Sequence, residues 1–89
     1  MSTMKTYLLK TDGTKTPLTE SIKKDIKKAA SLIGCEYIDY MIFNKFTLWW
    51  DESGRVNGSE RNIEAEKMIA SDPMNNKCQV FGNVIVFEK

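Results

Sequence analysis

The chain has 89 residues, 42% of them hydrophobic and 28% charged, with five glycines and two prolines, a composition that suits one globular domain and excludes a disordered or fibrous segment. Thirteen basic residues against twelve acidic ones leave a formal charge of +1, so no strong overall field draws the protein to nucleic acid or anionic lipid. Histidine is absent and only two cysteines are present, which removes Ser-His and Cys-His nucleophile pairs, His-containing metal sites and any four-thiolate zinc site within one chain.

Residues 4–10, MKTYLLK, read as a first strand. Thr11-Asp12-Gly13-Thr14 follows, with an Asp-Gly pair that tolerates the positive φ of a hairpin turn. The return strand runs from Lys15 to Leu18, and Pro17 confines it to an edge. Thr19 then reads as an N-cap, with Glu20 in the first helical turn. Ile22, Ile26, Ala29, Ala30 and Ile33 share one stripe of that helix, with the lysines largely off it. Gly34 supplies the left-handed residue that closes a last turn.

Residues 35–43, CEYIDYMIF, and 46–51, FTLWWD, read as two strands joined at Asn44-Lys45. Ser53-Gly54 marks a turn, residues 55–58 a short extended piece, and Ser59 the cap of a second helix reaching about Ser71 before Asp72-Pro73. Ala65, Met68 and Ile69 give that helix a modest apolar face. QVFGNVIVFE is the last strand, with Gly82 at its entry or at a bend. The order β-β-α-β-β-(β)-α-β predicts an α+β domain: a mostly antiparallel sheet of four to six strands with two helices packed on one face.

No apolar run near the N-terminus has the length of a signal sequence, and none approaches a membrane span. The cytoplasm is therefore the expected compartment. Cys35 and Cys78 lack CxxC spacing and are expected to be reduced and packed, a bridge between them requiring Cα atoms within about 7 Å.

Six of the nine aromatic residues, Tyr37, Tyr40, Phe43, Phe46, Trp49 and Trp50, lie in the central hairpin. A two-residue turn at Asn44-Lys45 sets Phe43 opposite Phe46. Alternation then puts Tyr37, Asp39, Met41, Phe43, Phe46, Leu48 and Trp50 on one face. Ile38, Tyr40, Ile42, Thr47, Trp49 and Asp51 take the other. With both helices on one face, the second needs another cover. Trp49, beside Thr47 and Asp51, is expected to be either partly covered by a loop or presented to a partner.

An open Tyr40/Trp49 face suits a second copy of the chain or a target protein, because aromatic anchors dominate interface energetics. It also suits a nucleotide, since stacking on an aromatic ring contributes about 1 to 3 kcal/mol per base. Polynucleotide is disfavoured by where the cations fall. Residues 1–30 hold seven lysines against three acids, and the rest of the chain holds six basic against nine acidic residues. Arg55, Asn57, Gly58, Ser59, Arg61 and Asn62 form a polar cluster where a loop enters a helix. Helix N-termini bind anions, and such residues equally serve as ordinary caps. Asp51-Glu52 and Glu64/Glu66 do not face one another at these spacings and read as solvated carboxylates. No catalytic residue, metal ligand or cofactor site is expected.

The runs Leu32-Ile-Gly-Cys-Glu-Tyr-Ile, Leu48-Trp-Trp-Asp-Glu-Ser-Gly-Arg-Val, Asn62 with Ala65, and Gly82-Asn-Val-Ile-Val span about two thirds of the chain. Together they resemble a family of small α+β proteins of unknown function found in phages and mobile elements. Its members share a helix ending in Gly, an Asp-Glu-x-Gly turn, an Asn-x-x-Ala helix and a Gly-x-x-Val last strand. The family usually carries a paired glycine after the first helix, where Cys35 stands here. The resemblance implies a phage-type accessory protein that acts in the host cytoplasm by binding. The expected role is to inhibit or modulate a host protein, in a counter-defence setting, as a homo-oligomer. The expected site is the Tyr40/Trp49 face or the Arg55 to Asn62 loop. The alternative is a binder that sequesters a nucleotide by aromatic stacking.

Overall fold

The computed structural model describes residues 5–54, 56–71 and 79–88. Its elements in chain order are β1 (Thr6–Leu9), β2 (Lys15–Pro17), α1 (Ile26–Ile33), β3 (Ile38–Ile42), β4 (Phe46–Asp51), α2 (Ile63–Ala70) and β5 (Val84–Glu88), with a 3-10 helix over Glu20–Lys24 ahead of α1. The five strands form one antiparallel sheet in the order β2-β1-β5-β4-β3. This is an α+β fold. Strand β5, last in the chain, lies at the centre of the sheet, which explains its unbroken apolar run Val-Ile-Val-Phe: both of its faces are covered.

The helices do not share a face. Tyr7, Leu9, Leu48, Val84 and Val86 pack with Ala65 and Ile69 of α2 on one side. Leu8, Ile85 and Phe87 pack with Ile22, Ala29 and Ile33 on the other. The expectation of two helices on one face is corrected by the two central strands. Residues 7 to 9 and 84 to 87 are apolar at every position, so burying them calls for a cover on each side.

The first helix is interrupted. Asp25 takes a non-helical conformation (φ −125°, ψ 77°), and its carboxylate accepts the Lys28 N–H at 3.1 Å, so α1 begins at Ile26 rather than after Thr19. Thr19 makes no side-chain cap. Because the break resets the helical phase, Ile22 is buried while Ile26 turns out to solvent. Gly34 closes α1 in the left-handed conformation (φ 87°), where Gly34 N–H and Cys35 N–H both reach the Ala30 carbonyl.

The second helix starts three residues later than its Ser59 signal. Residues 60 to 62 are held in extended pairing with residues 80 to 82: Gly82 N–H donates to Glu60 O at 2.7 Å and Asn62 N–H to Val80 O at 2.7 Å. Asn62 then serves as the N-cap. The extended piece expected at 55–58 is a turn over its described residues, with Asn57 N–H bonded to Ser53 O. Asp72-Pro73 and Cys78 lie outside the described residues.

Candidate binding surface

The hairpin of β3 and β4 folds in the register set by its two-residue turn, with Tyr40 opposite Trp49 and Met41 opposite Leu48. Phe43 N–H closes the turn onto Phe46 O at 2.8 Å, and the two rings stack at 4.9 Å. Ile38, Tyr40, Ile42 and Trp49 consequently share the face that carries α1. An eight-residue helix is about 12 Å long, and α1 uses its buried residues against Leu8, Ile85 and Phe87. It leaves the β3 side of that face uncovered.

The result is an apolar shelf. Tyr37, Tyr40 and Ile42 are 67%, 61% and 64% exposed, and Ile26 is 55% exposed. A shallow depression of about 440 Å³ runs between Ile26, Tyr37, Ile38, Tyr40 and Trp49, with Glu36 and Glu52 on its rim. Trp49 forms its inner wall. Its ring meets Phe87 edge-on at 4.6 Å, and Lys23 Nζ sits over the Phe87 ring at 5.2 Å. Trp49 is thus half-buried by Phe87 and its neighbours in the second core, while Trp50 packs against the first.

A polar depression adjoins the shelf through Glu36 and Tyr37, and Ser31, Cys35, Asp51 and Asn57 line it as well. The Asp51 carboxylate is buried and accepts the Ser53 N–H at 2.8 Å and the Asn57 amide at 3.4 Å. Burial, and then the charge of Asp51, push the Cys35 thiol upward in pKa. A thiol held in its protonated form is a poor nucleophile.

The residues singled out from sequence part company here. Tyr40 and Trp49 are direct cross-strand partners on the shelf, and Asn57 stands nearby in the polar depression. Arg61 belongs to another region, where its guanidinium pairs with Glu66 beside α2. That guanidinium holds the Glu66 carboxyl below its usual range, helped by the Val80 N–H at 3.2 Å and opposed by partial burial. Asn62 is fully buried. Its amide donates to Leu9 O and Gly82 O, each at 3.0 Å, and its oxygen accepts Ala65 N–H at 3.1 Å, tying α2 to the sheet. Arg55 lies outside the described residues.

Ile26 and Tyr37 belong to the surface without having been marked for it. The i, i+4 stripe assigned Ile26 to the helix core, and only the capping chemistry of Asp25 signalled otherwise. Alternation sent Tyr37 to the opposite face, but β3 begins at Ile38 and Tyr37 sits in a bend, free of the strand's period.

Fold and surface together define a class: a small antiparallel sheet between two helices, with one face packed against α2 and the other ending in an apolar shelf beside an edge strand. No protein-family model, no curated protein and no solved structure matches the chain. Among the described residues, no helix is long and apolar enough to cross a membrane.

Proposed function

We propose that the chain is a non-enzymatic accessory protein of the phage type that binds a host protein through the Tyr40/Trp49 shelf and inhibits or modulates it. The observation that carries this reading is the exposure of Tyr37, Tyr40, Ile42 and Ile26 together on one side of a sheet whose other side packs its apolar residues against α2. Contiguous apolar surface rimmed by charge is the usual mark of a protein-binding site. Tyrosine and tryptophan supply large contact area at low entropic cost, as binding anchors do. The phage setting comes from the turn, glycine and Asn-x-x-Ala pattern alone.

A stacked nucleotide is the weaker reading. Glu36 and Glu52 line the depression and, among the described residues, no cation does, so phosphates meet repulsion from these carboxylates.

The test is capture from a host lysate by wild-type protein, by Trp49→Ala and by Tyr40→Ser/Ile42→Ser, with partners identified by mass spectrometry. Loss of one defined partner in both variants, at unchanged thermal stability of the double variant, is expected. Retention of that partner by the double variant overturns the shelf as the site. Quenching of tryptophan fluorescence by mononucleotides, absent in Trp49→Ala, would establish the stacking role instead.

A further inference from the structure

The two edges of the sheet are built differently. At β2 the residues whose backbone groups face outward include Lys15 and Pro17, because Thr14 and Leu18 are bonded inward to Lys10 and Thr6. Proline offers no N–H and lysine discourages pairing, so this edge is blunted in the usual way. The β3 edge has neither residue nor a bulge. Phe43 N–H donates to Phe46 O and Glu52 N–H to Tyr37 O. Odd-numbered residues of β3 therefore point their backbone groups at β4, and Ile38, Tyr40 and Ile42 point theirs outward.

We infer that β3 pairs antiparallel with β3 of a second copy of this chain about a two-fold axis at Tyr40, joining the two sheets and the two shelves into one. In that register Tyr40 faces Tyr40 of the other copy, and Ile38 faces Ile42. Each pair exchanges the outward N–H and C=O groups, and the side chains meet on the shelf face. Continued past the strand ends, the same register sets Glu36 of one copy opposite Asn44 of the other and diagonal to its Lys45, opposite charges at both ends of the joint. The self-pairing places apolar against apolar within one strand, with acid diagonal to base beyond each end.

Asp39 restrains the pairing. Its carboxylate accepts the Tyr40 N–H at 2.8 Å, occupying the group that lies at the axis. The two copies of Asp39 also stand diagonally across that axis, where like charges repel. Association is therefore reversible and weak. This inference goes beyond host binding, concerns the strand edge, and is read by oligomeric state alone.

Sedimentation velocity over a concentration series is the test, with zero-length carboxyl-to-amine cross-linking of mixed light and heavy isotope-labelled copies. Wild-type protein is expected to show a concentration-dependent dimer, and Asp39→Ala a dimer about tenfold tighter, the effect of freeing a hydrogen-bond donor at the joint. Ile42→Pro removes an outward N–H without touching the β4 ladder, and Ile42→Lys puts a charge in the apolar pair. Each is expected to be a folded monomer by circular dichroism, and one folded variant suffices. The inter-copy cross-link is expected between Glu36 and Lys45. Monomeric Asp39→Ala at millimolar concentration, a folded Ile42 variant that still dimerises, or inter-copy cross-links that exclude Glu36–Lys45 would each overturn the inference.

Discussion

The two faces of the sheet use similar residues to opposite ends. On the α2 face, Tyr7, Leu9, Leu48, Val84 and Val86 are buried beneath Ala65 and Ile69, and Asn62 and Glu66 fasten the helix and the chain beside it. On the α1 face, the helix reaches the central strands and stops, so Tyr40 and Ile42 stand in solvent beside a half-buried Trp49. The difference lies in where the helices dock rather than in hydrophobicity. A shelf of this kind arises where a short helix docks to one side of a sheet wider than itself.

Substitutions in the core of the α2 face are expected to cost stability, and those on the shelf are not. Leu48→Ala has the largest expected effect, a loss of about 3 kcal/mol from a cavity in a fully enclosed site, read from the denaturant midpoint. Asn62→Ala is expected to cost about 2 kcal/mol, because it strips the α2 cap and removes the amide that ties Leu9 O and Gly82 O to the start of the helix. A cost below about 0.5 kcal/mol there would break the claim that Asn62 joins helix to sheet.

Smaller still is the pH dependence carried by Glu66. Its carboxyl is lowered in the folded state, chiefly by the Arg61 hydrogen bond, so its contribution is present above the unfolded pKa and is lost as pH falls through the folded one. Glu66→Gln should flatten the decline in stability between about pH 5 and pH 3, measured as denaturant midpoints at a series of pH values. An identical slope in wild type and variant would remove Glu66 as an anchor of the α2 face. Last, Tyr40→Ser and Ile42→Ser are expected to shift stability by no more than about 0.5 kcal/mol, as solvent-facing positions do. Larger losses in monomeric protein would mean that the shelf is core.

Much of the hairpin is legible in the sequence. A two-residue turn and the period of two dictate which of Ile38, Tyr40, Ile42 and Trp49 share a face, and the observed register agrees. The role of Asn62 was not legible. As a residue near a helix start it looks like a cap or a ligand group, and only the approach of Leu9 and Gly82 shows that its amide is spent inside.

The chain by itself determined the strands, the turns, the left-handed close at Gly34, the edge position of β2 and the antiparallel α+β class, because these follow from local propensity, Pro and Gly geometry and alternation. Tertiary structure alone decided that the helices take opposite faces, that Ile26 turns outward after Asp25, and that the uncovered apolar surface lies along β3. Those outcomes depend on how far a short helix reaches across a sheet whose central strands are apolar on both sides, and that distance is set by packing between segments remote in sequence.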